Sequence, residues 1–453
     1  MDEQQQHFLV VAYPAQGHIN PCLQLAKRLV RLGNRVTFSI AAETHHRMAM
    51  ETLPPLLACH PYSVGKYDGD IAQDTIDWCD YLQVLKSVGS RTLAELARDL
   101  AAAGRPVTCV IYTFLVPWAA AVARDFGVPS ALYWIQSAAV FAVYHLYFHG
   151  HAGLIQAKSQ EPLSSVDLPG LPAFRIRDVP SLLLSRTLLD ITYFPVLDEL
   201  FRTMDAKARV LVNTFEALEL DYLRAVKPVE LLPIGPALPS AHADGLDGAE
   251  TSFGGDLFQP APRESYTTWL DAQRDRSVVY VSFGSYAVLP VRQLEEISRV
   301  LEDSRRPYLW VARGVREGVK DSSQGMVVDW CSQVEVLSHR AVGCFVTHCG
   351  WNSTLESLAC GVPIVGLPQW SDQSANVLLA ETAWGAGVRA EPSAGGLPEA
   401  AELRRCLDLV MGEGERGEAM RRSAKAWGRK AREAVKEGGS SDRNLRAFVK
   451  LPR

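Results

Sequence analysis

Residues 343–361 read Gly343-Cys-Phe-Val-Thr-His-Cys-Gly-Trp-Asn-Ser-Thr-Leu-Glu-Ser-Leu-Ala-Cys-Gly361. The apolar run to Thr347 has the length and composition of a buried strand. His348, Cys349 and Gly350 form a tight loop, a helix is expected from Asn352-Ser353, and Gly361 with Pro363 ends it. A helix that begins at a strand tip points unpaired N–H groups and the positive end of its dipole at that tip. Such a corner binds phosphate. In isolation the segment has two readings. It is a phosphate corner to which His348 adds a donor and where Glu356, one turn on, accepts from ribose hydroxyls, or it is a plain connection whose Asn and Ser only cap. Upstream, Trp330 offers a flat face for a base.

Working outward, the same alternation fills both halves of the chain. In the second half, strands are expected at Ser277 to Phe283, Tyr308 to Ala312 and Pro363 to Leu367, with a helix carrying Leu294, Ile297 and Leu301. In the first half they are expected at His7 to Ala12, Arg35 to Ile40, Val107 to Tyr112, Ser130 to Ile135 and Val210 to Asn213, the last followed by Thr214 as a helix cap. Between the halves, Ala237 to Ser265 is rich in Gly, Ala, Ser, Pro and Asp and reads as an unpatterned linker. The expected division is 1–237, a linker 238–265, a second domain 266–435, and a closing helix 436–453 that packs back on the first domain. Strands alternating with helices define an α/β protein with two parallel sheets. Their ligands bind at the carboxyl ends of the strands, so two such sheets facing each other enclose a cleft.

Composition narrows the function. At 453 residues the chain exceeds one ordinary core. Lys plus Arg is 46 and Asp plus Glu is 51, so no basic excess points to nucleic acid. An acidic, polar opening and the absence of any long apolar run predict a protein without a secretory leader or membrane span. The nine cysteines are scattered, with neither CxxC nor zinc spacing. They read as reduced thiols of a cytoplasmic protein.

The first half carries its own motif, Tyr13-Pro-Ala-Gln-Gly-His-Ile-Asn-Pro21. Asn20 is expected as the N-cap of the first helix and Pro21 at its first position. His18 then lies at the top of a strand beside a positive helix end, which keeps its ring neutral, as a general base requires. The aromatic stretch Trp134 to His149 either lines a flat ligand's pocket or packs a helix. His145, His149 and His151 lack acidic partners and do not read as a metal site.

Trp330-Cys-Ser-Gln333, His348-Cys-Gly-Trp-Asn-Ser353, Glu356 and Pro368-Gln-Trp-Ser-Asp-Gln373 together resemble the signature box of plant family 1 glycosyltransferases, down to its 44-residue span. Ser277 to Ser285, Leu211 to Glu219, Pro233-Ile-Gly-Pro236, Leu168-Pro-Gly-Leu-Pro172 and Gly438-Gly-Ser-Ser-Asp442 also look like segments of that family. The resemblance implies a GT-B fold with a UDP-sugar donor and a small-molecule acceptor, no metal and no resident cofactor. Charge and hydropathy call for neither nucleic acid nor membrane, and nothing in the sequence forces more than a monomer. By resemblance, Trp330 stacks on uracil and the Cys331 backbone pairs with it. Gln333 and Glu356 hold the ribose, and Ser285, His348, Asn352 and Ser353 hold the diphosphate. Trp351 (through its backbone), Asp372 and Gln373 hold the sugar, Gln373 going with glucose where His goes with galactose. His18 deprotonates the acceptor, which displaces UDP in line and inverts the anomeric centre.

One position departs from the pattern. The family places an Asp behind the histidine at the end of the Val107 to Tyr112 strand, whereas this chain has Thr113, in Ile111-Tyr-Thr-Phe-Leu-Val-Pro-Trp118. Thr cannot stabilise an imidazolium by charge, although it can hydrogen-bond the ring. A weaker base matters least for acidic acceptors: a carboxylic acid ionises near ~4.3 and a phenol near ~10. This variant resembles a subgroup containing anthocyanin 5-O-glucosyltransferases and enzymes acting on hormones and other carboxylic acids. The expectation is a glucosyltransferase for a phenol or a carboxylic acid. A non-catalytic UDP-sugar-binding protein and the same chemistry with another UDP-sugar are the alternatives. An epimerase or dehydrogenase would need a GxGxxG after a strand, and the sequence has none.

Overall fold

Short runs rich in Val, Ile, Leu and aromatic residues, each closed by Gly, Pro or a helix start, become the strands of two all-parallel sheets. The computed structural model describes residues 5–50, 53–69, 75–205, 207–246, 248–313 and 324–450. In the first sheet, β1 is His7–Val11, β2 Arg35–Ser39, β3 Leu57–Cys59, β4 Cys109–Thr113, β5 Ser130–Trp134, β6 Arg209–Val212 and β7 Glu230–Pro233. Their order is β7-β6-β5-β4-β1-β2-β3. In the second sheet, β8 is Val278–Ser282, β9 Tyr308–Val311, β10 Gly325–Val328, β11 Val342–Thr347, β12 Ile364–Gly366 and β13 Gly387–Arg389. Their order is β10-β9-β8-β11-β12-β13. This is the GT-B arrangement of two α/β domains.

The strand orders fix where the sites lie. From β1 the chain leaves to β2 on one side and returns at β4 on the other, so the crossovers diverge between β1 and β4. The same happens between β8 and β11. A crevice opens at each switch point. One holds the ends of β1 and β4, where Thr113 is the last residue of β4 and His18 lies in the first turn of α1. The other holds the ends of β8 and β11, with Ser285 and His348.

Three local expectations are corrected. The first helix, α1, runs Gln16–Arg31 from an Ala15 cap, so Asn20 is not its cap and Pro21 lies inside it. The chain turns earlier than expected because the Ala15 N–H closes on the Tyr13 carbonyl at 2.8 Å. Thr214 caps nothing: the next helix, Glu216–Ala225, starts from Phe215 without a side-chain cap. A nearby carboxylate does cap α2, Ala138–Leu146, since Glu219 accepts from the Ala138 and Ala139 N–H groups at 3.0 Å each. Finally, the segment 238–265 is more than a connection: its last residues open the helix Arg263–Asp271, and its middle packs on the first domain. Gly255–Asp256 pairs antiparallel with Ala49–Met50, and residues 250–257 lie against α1. Lys27 and Arg31 of α1 pair with Glu250, and Gln16 bonds the backbone of Gly255 and Leu257.

Further helices complete the frame: α3 Leu188–Thr203, α4 Trp351–Cys360, α5 Gln373–Thr382, α6 Glu415–Val435 and α7 Ser440–Lys450. α7 lies on the first sheet. Ser441 donates to the Gly235 carbonyl, Asn444 to that of Pro233, and Phe448 packs 6.2 Å from Phe8. The domains also meet directly. A buried Asp178–Arg389 ion pair at 2.6 Å crosses between them, Trp351 Nε1 donates to the Asn213 carbonyl at 2.7 Å, and Ser181 and Ser371 exchange backbone and side-chain bonds. No described helix is long and apolar enough to cross a membrane.

Candidate functional site

The two crevices face one cavity of about 250 Å³. Of the residues singled out in the sequence, His18, Ser285, Trp330, Cys331, Gln333, His348, Trp351, Asn352, Ser353, Glu356, Asp372 and Gln373 all line it. Thr113 does not. It stands behind His18, its Oγ1 2.9 Å from Nδ1, so the cavity is left with Nε2. His18 is buried between Tyr13 and Phe114, with ring centroids 5.3 and 5.0 Å away. Burial lowers its pKa to about 3, so the ring is neutral at physiological pH. The expected direction holds, with burial as its cause.

On the other side α4 starts at Trp351, one residue earlier than expected, with Gly350 as its cap and no side-chain cap bond. Asn352 and Ser353 therefore do not serve as caps. Ser353 Oγ accepts from Gln333 Nε2 at 3.0 Å, and the same amide donates to Glu356 Oε2 at 2.8 Å. Burial raises the Glu356 carboxyl to about 7. His348 sits at the mouth of α4 with its Nδ1 3.2 Å from Thr347 Oγ1, and burial lowers its pKa to about 4. The ring fits because its neighbours lack side chains: a Cβ at Gly284 would come within 2.8 Å of it, and one at Gly350 within 2.5 Å. Cys349 and Ser371, both in loops of this cavity wall, hold φ of 63° and 60°. Left-handed backbone at non-glycine residues collects at functional sites.

Gln373 is the first residue of α5. Its Oε1 accepts from the N–H groups of Gln369 (2.7 Å) and Trp370 (3.1 Å), which leaves its NH₂ as the free end. Asp372 caps α5 in position, bonds Asn376 at 2.7 Å, and is raised to about 6 by burial. Trp330 is half-buried, 4.7 Å from the Phe258 ring. Among the described residues, no cluster of His, Cys, Asp or Glu is placed to hold a metal.

Some lining residues were not singled out in the sequence. Tyr13, Tyr193 of α3 and Tyr286 form a row of phenols, with hydroxyl distances of 3.0 and 3.5 Å. Phe114 and Trp370 complete the apolar wall. Only the aromatic character of these residues marks them in the sequence, because three separate elements bring them together. In the Trp134 to His149 stretch the aromatic residues take the packing reading, with Phe141 and Tyr144 fully buried against Trp134 and Phe201, whereas Ile135 and Gln136 line the cavity.

The cavity thus sets a helix start and His348 in one α/β domain opposite the buried His18 of the other. Residues 250–411 match the family model described as "UDP-glucoronosyl and UDP-glucosyl transferase". The chain is 46% identical to crocetin glucosyltransferase of Gardenia jasminoides over 98% of its own length and 97% of that protein's. It is 44% identical to anthocyanidin 3-O-glucoside 5-O-glucosyltransferase 1 of Perilla frutescens, over 97% of both. Among solved structures it resembles Os79 from O. sativa in complex with UDP, at a TM-score of 0.87 and 34% identity, covering 98% of this chain and 99% of that one. The chain belongs to the plant family 1 branch of the UDP-glycosyltransferases. It is an enzyme, a UDP-glucosyltransferase that uses a UDP-sugar donor and a small-molecule acceptor.

Proposed function

We propose that the enzyme inverts the anomeric centre of UDP-glucose and delivers glucose to an acidic oxygen, a phenol or a carboxylic acid, of a small lipophilic acceptor. The products are a β-glucoside or a glucose ester. The observation that carries this reading is the Thr113 hydroxyl, 2.9 Å from His18 Nδ1, at the position where the family has a carboxylate. A carboxylate only accepts, which forces the proton onto Nδ1 and leaves Nε2 as a base. A hydroxyl accepts or donates. When Thr113 accepts, His18 Nε2 takes a proton from a phenol. When it donates, Nε2 carries hydrogen and holds an already ionised carboxylate. The first task charges the buried ring until the proton passes on to solvent, whereas the second leaves it neutral.

On the donor side, Trp330 and the Cys331 backbone take uracil, and Gln333 and Glu356 take the ribose. Ser285, His348, Ser353 and the α4 N–H groups take the diphosphate. Trp351, Asp372 and the free NH₂ of Gln373 meet the glucose hydroxyls. As UDP leaves, charge grows at the helix start, where the dipole and the N–H groups already point. No metal or resident cofactor enters this scheme. A monomer in the cytoplasm suffices, although a relative is named as chloroplastic. Mass spectrometry of products from a mixed panel of phenols, carboxylic acids and aliphatic alcohols, with UDP-glucose or UDP-galactose, tests the reading. It predicts glucosylated phenols or carboxylic acids. Faster turnover of simple alcohols than of both acidic classes would refute the acceptor assignment.

A further inference from the structure

One hydrogen bond joins the helix that carries His18 to the phosphate corner, and a proline makes it possible. In an α-helix the carbonyl of residue i receives the N–H of residue i+4. For Gly17 of α1 that residue is Pro21, which lies inside the helix and has no N–H. The Gly17 carbonyl is thus left without its intrahelical partner. Across the cleft, Asn352 Nδ2 donates to it at 2.8 Å. The orientation of the amide is fixed by this contact, since a flipped Asn352 would set oxygen against oxygen. Among the described residues its Oδ1 is buried without a partner, so no competing bond from them holds the side chain. The next residue but one along α1 from Gly17 is Ile19, and the residue between them is His18.

We infer that Asn352 is a positioning residue: its bond to the Gly17 carbonyl, freed by Pro21, holds His18 in register with the phosphate corner of the other domain. The amide has a second hydrogen for the diphosphate. The same side chain then touches the donor and the base-bearing helix, and occupancy of the donor site stiffens the helix that must meet the acceptor. This rests on His18 acting at the acceptor oxygen, as proposed above. It differs from a role for Asn352 as a phosphate ligand alone.

The test uses Asn352→Ala, Pro21→Ala and the double variant in the full-length enzyme, with melting temperatures recorded for each. Alanine at 21 restores an N–H that competes for the Gly17 carbonyl, without touching the donor site. Pro21→Ala is expected to lower kcat about five-fold while UDP affinity stays within about two-fold of wild type. In the Asn352→Ala background the same substitution should have no further effect on kcat, because the bond is already gone. Asn352→Ser replaces Asn352→Ala should the latter fail to fold. Wild-type kcat in Pro21→Ala, or an equal loss in both backgrounds, overturns the inference. A second readout does not need an acceptor: UDP should slow amide hydrogen exchange in residues 19–23 of wild type but not of the Asn352 variant. Equal protection in both, or none in either, also overturns it. If that protection is seen while no acceptor is glucosylated, the acceptor reading fails and the positioning inference stands.

Discussion

Thr113 gives His18 a neighbour that both donates and accepts, and reactivity should follow from that. Replacing Thr113 by Asp would fix the base tautomer and offset the imidazolium charge. Initial rates at pH 7 are expected to rise about ten-fold for phenols and to change little for carboxylic acids. His18→Ala should cost phenol acceptors about 100-fold in kcat and carboxylic acids less than about ten-fold, read from the same assay. The carboxyls of the donor corner add a pH dependence to stability. Burial raises Glu356 from an ordinary 4.5 to about 7. Between these values the folded state binds the proton that the unfolded state has released. The stabilisation is therefore complete below about pH 4.5 and disappears as pH rises through 7. In Glu356→Gln this part of the pH dependence should vanish, which a series of melting curves from pH 4.5 to 8 would show.

At the scale of elements, the donor corner depends on two glycines. A methyl group at Gly350 would lie 2.5 Å from His348 Nε2, so Gly350→Ala should displace the ring and weaken UDP binding about ten-fold by titration, with the fold intact. Much of this corner was legible in the sequence. Strand-tip loops carry their residues to a switch point whatever the details, which is why twelve of the thirteen residues chosen line one cavity. Helix starts were less legible. Pro21 looked like a first helical position because local rules put proline there, and the tertiary contact that lets it sit deeper comes from residue 352. The tyrosine row was not legible, because Tyr13, Tyr193 and Tyr286 are brought together only by the packing of α3 and of a loop in the other domain. The segment 238–265 has no period of its own because its partners, on α1, are more than 200 residues away in sequence.

For the molecule as a whole, the interface is held by buried polar groups as well as by packing. Arg389→Ala would leave Asp178 buried beside only a more distant Arg177, 4.0 Å away. Such a loss costs about 3–5 kcal/mol, visible as a lower Tm and an earlier denaturant midpoint. Asp178→Asn combined with Arg389→Met should recover part of it. The return of α7 to the first sheet has a consequence for biosynthesis. Phe8 leaves the ribosome about 440 residues ahead of its partner Phe448. At ordinary elongation rates the first domain waits on the order of tens of seconds with this seam open. The acceptor domain is therefore finished only after the donor domain has been made, and a nascent chain stalled before residue 440 should present an apolar strip to chaperones.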